Sequence, residues 1–324
     1  MNPTVKQGIC SEEWEVQYSN IKKCVLKGST TRLSGTYKHP DHLTVTEAFW
    51  IVNPVKDKND INLLNHSDYR GRVHYFPIKD RTFALTLSNV RYEDERMYWY
   101  KIIAKELIYL GFPGIELKVT ELRVEIPEEV VEKDSPALLC KSTCNLSDRT
   151  DFIWYKNGES LSVSSIGNRR ILQSVSSDDT GNYSCAARDQ EHLPSPAVTL
   201  SVRYRPRNVS VSVSPSGEIV ERDSVTLNCI SDSNPPALNF SWFKENETSA
   251  VGSGQSFSIS SFKSSFSGRF YCEAQNKYGS RRSVSLFVSP TVAGGQNTGV
   301  YAAAGIGAVL IGICIIVVVI TILR

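Results

Sequence analysis

One order of residues occurs twice in this chain and limits its fold more than any other feature. A cysteine in a segment of alternating apolar and polar residues is followed by a tryptophan in a short apolar run, and then by a second cysteine. In chain order these residues are Cys140, Trp154 and Cys185, then Cys229, Trp242 and Cys272. Alternation with a period of two predicts strands with one buried face. Each copy therefore predicts two facing sheets joined by a disulfide, with the tryptophan packed against it.

This arrangement is the signature of an immunoglobulin-type sandwich. Tyr183 lies two residues before Cys185, which is the position of the tyrosine corner in such domains. The later copy has Phe270 at that position, so we expect its corner to have lost the tyrosine hydrogen bond. Both cysteine pairs are predicted to be disulfides.

The first part of the chain keeps the tryptophan and the tyrosine of this pattern but lacks its cysteines. Trp50 fits the core tryptophan, and Tyr98 fits the tyrosine corner. The interval between these two residues is longer than in the other copies. Variable-type domains carry extra strands in this interval, so we predict extra strands between Trp50 and Tyr98.

A long apolar run, Val300–Leu323, contains no charged residue and ends at Arg324. A helix of that length can cross a hydrocarbon core of ~30 Å. We predict a single transmembrane helix, and the alternative is a glycolipid-anchor signal with its small residues at Ala293–Gly295. No apolar leader precedes Cys10 and nothing follows Arg324, so we expect parts of the natural product to be missing at both ends.

The predicted fold class is all-β, with three tandem immunoglobulin-like sandwiches followed by a single transmembrane helix. The predicted segments are a variable-type domain at 11–120, constant-like domains at 121–203 and 204–289, a stalk at 290–299 and the helix at 300–323. Asn-x-Ser/Thr motifs fit an extracellular location for the part before the helix. They begin at Asn65, Asn145, Asn182, Asn208, Asn239 and Asn246, which we predict to be glycosylated.

Charge and motifs argue against several other classes of function. Lysine and arginine number 36 and aspartate and glutamate 34, so the formal net charge is +2, and no basic run suggests nucleic-acid binding. The sequence has no nucleophile elbow, phosphate loop or zinc-protease motif, and its histidines are scattered. We expect no enzymatic activity, no cofactor, no metal site and no nucleic-acid partner.

Four short sequence segments extend the interpretation as tandem immunoglobulin-like domains. They are Cys24–Ser29, Gly71–Val73, Leu85–Leu87 and Trp154–Gly158. They resemble strings of the siglecs, the sialic-acid-binding immunoglobulin-like lectins, in which a variable-type first domain is tied to the next domain by a disulfide. The resemblance implies a bridge between Cys24 and Cys144, which leaves Cys10 free or joined to another chain. It also implies a single-pass plasma-membrane protein with an extracellular N-terminal region.

The siglec resemblance also implies a ligand-binding site in the first domain. Siglecs hold the sialic acid carboxylate with an arginine on strand F, and the matched residue is Lys101. Trp14 matches an aromatic residue near the start of the domain that contacts the sugar, and Tyr109 with Phe112 would line the glycerol side. The implied partners are sialylated glycoconjugates bound by Lys101, Trp14 and Tyr109.

Two departures from the siglec pattern keep a second interpretation open. Gly35 and Phe83 occupy the positions matched to the intrasheet disulfide of the first domain, and a lysine replaces the arginine. Lysine is a hydrated point charge that cannot make the two parallel hydrogen bonds of a guanidinium. The alternative is therefore a receptor for cell-surface proteins, or a decoy, that has lost the sialic-acid site. In that case Lys101 is an ordinary strand lysine, and Trp14 and Tyr109 serve packing.

Overall fold

A computed structural model of the 324-residue chain describes residues 4–7, 14–54, 60–76, 81–105, 107–146, 150–161 and 167–291. The chain divides into two compact units, Met1–Tyr204 and Arg205–Arg324. The first unit contains two sandwiches and the second contains one, so the described chain is all-β with immunoglobulin domains in tandem. Cys10, the predicted helix at 300–323 and most of the predicted stalk lie outside the described residues. Within the described ranges, no helix is long and apolar enough to cross a bilayer.

The first domain is a sandwich of two sheets. Its strands are β1 (Thr4–Gln7), β2 (Glu15–Tyr18), β3 (Lys22–Leu26), β4 (Thr31–Lys38), β5 (Glu47–Val52), β6 (Val73–Phe76), β7 (Thr82–Leu87), β8 (Met97–Ala104), β9 (Leu107–Leu110) and β10 (Ile115–Thr120). One sheet has the order β2-β4-β7-β6, and the other has the order β1-β9-β8-β10-β3, with β5 also paired to β8. A 3-10 turn, Tyr92–Asp94, precedes β8, and the Tyr98 hydroxyl donates to the Asp94 carbonyl as a tyrosine corner.

The interval between β5 and β6 differs from the sequence prediction. Its described residues form two short 3-10 turns, Leu63–Asn65 and Ser67–Tyr69, and contain no strand, so the prediction of extra strands is wrong for them. The reason is burial, since the Leu63 and Tyr69 side chains both lie in the core. The Tyr69 hydroxyl lies 3.1 Å from the Tyr98 hydroxyl. These contacts hold the interval against the sandwich as turns.

Gly35 and Phe83, the positions matched to the missing disulfide, lie directly opposite each other on β4 and β7. The Phe83 ring stacks on Tyr100, with ring centroids 3.9 Å apart and planes at 4°, and it meets Trp50 edge to face at 5.2 Å. A Cβ atom on Gly35 would lie 2.6 Å from the Phe83 ring and 2.3 Å from the Gln17 carbonyl oxygen. An aromatic stack therefore fills the place of a disulfide, and only glycine fits opposite it.

The second domain has the cysteine-bridged core that the sequence predicts. Its strands are β11 (Arg123–Glu125), β12 (Val130–Val131), β13 (Ala137–Lys141), β14 (Phe152–Lys156), β15 (Glu159–Ser160), β16 (Arg169–Ile171), β17 (Gly181–Ala187) and β18 (Val198–Leu200), with 3-10 turns at Ser177–Asp179 and Arg188–Gln190. The sheets have the orders β11-β13-β16 and β15-β14-β17-β18. Cys140 and Cys185 form a disulfide beside the buried Trp154. The Tyr183 hydroxyl donates to the Asp179 carbonyl at 2.8 Å, which is the predicted tyrosine corner.

The third domain repeats this core. Its strands are β19 (Val202–Ser214), β20 (Val225–Asn234), β21 (Asn239–Lys244), β22 (Gly252–Ser253), β23 (Ser256–Ile259), β24 (Gly268–Asn276), β25 (Gly279–Arg282) and β26 (Leu286–Val288), with a 3-10 turn at Ser264–Phe266. One sheet contains β19, β20 and β23, and the other has the order β22-β21-β24-β25 with β26 also paired to β24. Cys229 and Cys272 are bonded beside the buried Trp242. Phe270 stands at the corner position with its ring buried in the core.

The two domains of the first unit are joined covalently. Cys24 on β3 forms a disulfide with Cys144, which is the pairing that the siglec resemblance implied. The Thr120 hydroxyl, at the end of β10, accepts a hydrogen bond from the Thr143 backbone at 2.9 Å. Leu26 packs into the core of the second domain. A covalent bond, a hydrogen bond and an apolar contact thus link the two sandwiches.

Candidate ligand-binding face of the first domain

Strand β8 sets the chemistry of the outer face of its sheet. Successive side chains of a strand point to opposite faces, and burial along β8 alternates without exception. The core side holds Tyr98, Tyr100, Ile102 and Ala104, all buried. The outer side holds Met97, Trp99, Lys101 and Ile103. Lys101 therefore lies on the outer face, where the siglec resemblance implied that a ligand binds.

Lys101 already has a carboxylate partner within its own chain. Its Nζ lies 2.9 Å from Oδ2 of Asp60, and the two side chains are only 11% and 14% exposed. Phe49 lies opposite Lys101 on β5, and Lys101 Nζ is 5.8 Å from the centre of that ring, which is itself buried. Asp60 and Phe49 therefore enclose the ammonium group of Lys101.

The chain around Asp60 is anchored to the core. Asn62, two residues further on, accepts a hydrogen bond from the Tyr75 hydroxyl at 2.9 Å. The same hydroxyl accepts a hydrogen bond from the Trp50 backbone at 3.1 Å, and burial raises the pKa of Tyr75 to about 12. A half-buried tyrosine thus connects this segment to the core strand β5 and holds Asp60 near Lys101.

Trp14 and Tyr109 lie together, but not with Lys101. Their rings stack with centroids 5.3 Å apart and planes at 18°, and the Tyr109 hydroxyl lies 3.4 Å from the Trp14 carbonyl oxygen. Tyr109 is opposite Ile102 on β8, so it shares the core-side face, whereas Leu110 is opposite Lys101. Both rings pack against the core cluster. The structure therefore brings two of the three predicted site residues together at the edge of the core and places the third on the other face of the sheet.

A different aromatic pair lies on the outer face. Phe112 is 67% exposed, and its ring meets Trp99 in a T-shaped contact at 5.8 Å. The alternation of β8 could have indicated Trp99 as an outward residue, since it lies two positions before Lys101. Asp60 carried no such signal, because it lies in the interval between β5 and β6 that has no regular pattern. Trp99 and Asp60 are thus the residues of this face that sequence analysis missed, whereas Phe112 was expected beside a sugar.

The predicted glycosylation residues are accessible. All of them are exposed in the structure, namely Asn65, Asn145, Asn182, Asn208, Asn239 and Asn246. Their modification stays a prediction. Within the described ranges, no group of three or more histidine, cysteine, aspartate or glutamate residues is placed to hold a metal ion.

Comparison with known proteins agrees with the geometry of the domains. Residues 120–202 and 210–276 each match a sequence model of the immunoglobulin domain. The B-cell receptor CD22 of Mus musculus is 31% identical over 182 residues, which is 54% of this chain and 20% of that protein. The intercellular adhesion molecule 5 of Oryctolagus cuniculus is 30% identical over 200 residues, which is 55% of this chain and 21% of that protein.

The chain spans about a fifth of the length of these curated relatives. Among solved structures, the three-domain I67–I69 fragment of titin, in an E-to-A mutated variant, covers 86% of this chain at 17% identity with a TM-score of 0.34. The two matched domain models, the sandwich sheets and their disulfides agree with one another: the chain contains immunoglobulin domains in tandem.

Proposed function

We propose that this chain is the recognition part of a single-pass adhesion receptor in the plasma membrane, with its immunoglobulin domains outside the cell. Its tandem domains, exposed glycosylation motifs and apolar run at 300–323 support this function. The names of two relatives, a B-cell receptor and an intercellular adhesion molecule, support it further.

The ligand of the first domain is a cell-surface protein, and the observation that carries this proposal is the pair between Lys101 and Asp60. A sialic acid carboxylate would have to displace Asp60 from the ammonium group. Leaving one partner of a buried ion pair without its counter-charge costs ~3–5 kcal/mol. The incoming carboxylate would only replace one lysine–carboxylate contact with another, and Asp60 would be left without its counter-charge. The exchange is unfavourable, which argues against an anionic sugar as the ligand of this face.

The outer face of the first domain also carries an aromatic surface that a protein partner could contact. The exposed Phe112 ring and the Trp99 beneath it form an aromatic contact on that face. Aromatic side chains are enriched at the energetic centres of protein interfaces. This face therefore suits an apolar patch on a partner protein.

A second candidate function is binding of sialylated glycoconjugates. The siglec resemblance of the sequence and the similarity to the B-cell receptor CD22 favour it. The disulfide between Cys24 and Cys144, which the resemblance implied, favours it as well. This function requires the Asp60 carboxylate to leave Lys101 when the sugar arrives.

Cell adhesion separates the two candidates. Cells that display the full chain are mixed with target cells to which they adhere. The target cells have been treated with sialidase, with protease, or with neither. We expect protease to abolish adhesion and sialidase to leave it unchanged, with Phe112→Ala lowering adhesion at equal surface expression. Adhesion that sialidase abolishes and that Phe112→Ala does not change would support the glycan function instead.

A further inference from the structure

The third domain carries an arginine that is held in position and still open to a ligand. Arg282 lies on β25 opposite Glu273 of β24, so both side chains share the outer face of that sheet. The Arg282 Nε donates to Glu273 Oε2 at 2.9 Å, and the Ser280 hydroxyl donates to the other carboxylate oxygen at 2.6 Å. Both oxygens of Glu273 are thus engaged, and the carboxylate fixes one edge of the guanidinium.

Two aromatic rings hold the plane of this guanidinium. Phe243 and Tyr271 lie opposite each other on β21 and β24, and their rings are stacked with centroids 5.2 Å apart and planes at 13°. The Arg282 Cζ lies 5.3 Å from the centre of the Phe243 ring and 5.6 Å from that of Tyr271. Cation–π contacts of this kind fix the orientation of an arginine at little cost in solvation.

The remaining edge of Arg282 is available. The side chain is 59% exposed, although Glu273 binds it and the rings contact it. In the part of the chain that the structure describes, no acceptor contacts its two terminal amino groups. A guanidinium edge with two parallel N–H donors matches the geometry of a carboxylate. Because the guanidinium is already held in place, less side-chain entropy is lost when a partner binds.

The surroundings of Arg282 indicate the kind of carboxylate. Phe287 is 53% exposed and lies opposite Arg269 on the same outer face as Tyr271. Exposed apolar side chains around an aromatic and arginine centre are typical of protein interfaces. We propose that Arg282 binds an aspartate or glutamate side chain in an acidic, apolar segment of a partner protein.

This inference concerns the third domain and is independent of the function proposed for the first. The probe is a fluorescent bead coated with the peptide Gly-Leu-Asp-Leu-Asp-Gly. The neutral control bead carries the same peptide with both aspartates replaced by asparagine, and a third bead carries 3′-sialyllactose. Many copies on one bead make weak single contacts measurable. Beads bound to cells that display the full chain are counted by flow cytometry at equal surface expression.

We expect the acidic peptide beads to bind at least fivefold more than the neutral beads. Arg282→Lys, which keeps the charge but removes the paired donors, should lower this binding at least fivefold. Arg281→Lys is the matched control, because Arg281 is exposed and lies opposite Ala274, on the other side of the strand. It should change binding less than twofold.

Three results would overturn the proposal. Equal binding of acidic and neutral peptide beads would show that no carboxylate is recognised. Equal losses in Arg282→Lys and Arg281→Lys would show that charge alone attracts the beads. Binding of sialyllactose beads that Arg282→Lys abolishes, without binding of peptide beads, would assign the site to an acidic sugar instead.

Discussion

The first and third domains each place a cation on the outer face of the corresponding sheet, but only one of the two cations is open. Lys101 is 11% exposed and its ammonium group meets Asp60. Arg282 is 59% exposed, and Glu273 contacts it through Nε alone. A carboxylate of the same chain can therefore either block a cationic side chain from an outside ligand or orient it for one. The difference depends on how many donors the cation has and on what covers it.

The cores of the same two domains differ as well. In the third domain Trp242 lies beside the Cys229–Cys272 disulfide. In the first domain Trp50 meets the Phe83 ring, which lies across from Gly35. The sandwich tolerates this exchange because a stacked ring fills the volume that a disulfide otherwise fills. The tryptophan needs a close-packed partner there, whether or not that partner is covalent.

The largest expected effect tests whether Phe83 replaces a disulfide. Phe83→Ala removes the stacked ring from the first core and should lower the free energy of unfolding of that domain by ~3–5 kcal/mol. Denaturant unfolding, with hydrogen exchange at β4 and β7 to identify the domain, measures this loss. Phe112→Ala is the control, since that ring is 67% exposed and its loss should cost about 0.5 kcal/mol or less. Similar losses for the two variants would refute the role of Phe83.

The second largest effect tests whether the ion pair between Lys101 and Asp60 stabilises the first domain. Lys101→Met leaves the Asp60 carboxylate without its partner and should destabilise the first domain by about 3 kcal/mol. Adding Asp60→Asn to this variant should restore most of that loss, which urea unfolding of the single and double variants measures. Lys118→Met is the control, because Lys118 is 52% exposed and lies 3.6 Å from Glu116. If Lys101→Met costs no more than Lys118→Met, the pair does not enclose the lysine.

The third effect compares the exposed Arg282 with the enclosed Lys101 by the stability that each side chain contributes. Arg282→Met should lower the stability of the third domain far less than Lys101→Met lowers that of the first, because the Arg282–Glu273 ion pair is largely exposed to water. The same variant should nevertheless lose binding of acidic peptide beads. A loss of stability as large as that of Lys101→Met would mean that Arg282 is a structural residue like Lys101.

The smallest effect is a dependence on pH in the third domain. Hydrogen bonds from Ser280 and then from Arg282 lower the pKa of Glu273 below its ordinary value of 4.5. The unfolded chain then takes up the proton first, so the stabilisation is complete above pH 4.5 and is lost as the pH falls through the lower folded value. Unfolding of the wild type and of Glu273→Gln should therefore differ above pH 4.5 and converge in acid. A difference that grows as the pH falls would contradict this assignment.

Local sequence patterns predicted much of the fold. The positions of Cys140 and Cys185, the core tryptophans and the tyrosine corner at Tyr183 follow from spacing within single strands and turns. The prediction of extra strands is wrong for the described residues between β5 and β6, where Leu63 and Tyr69 are buried in the core, because a sequence interval alone does not show which side chains are buried.

The candidate site was harder to predict because it depends on register and on distant partners. The face on which Tyr109 lies follows from its position opposite Ile102, and no local pattern fixes that register. Asp60 reaches Lys101 from 41 residues away in the sequence. The resemblance to siglecs could identify Lys101 as a matched position, but it could not show that the chain already supplies a carboxylate there.

The most direct test of the closed first-domain face is saturation-transfer NMR of 3′-sialyllactose with the purified full chain. If Asp60 occupies Lys101, the wild type should transfer no saturation to the sugar through the first domain. Lys101→Ala should then give the same spectrum as the wild type. Saturation transfer to the sialic acid that is present in the wild type and absent in Lys101→Ala would contradict the account, because it would show that the lysine exchanges Asp60 for the ligand.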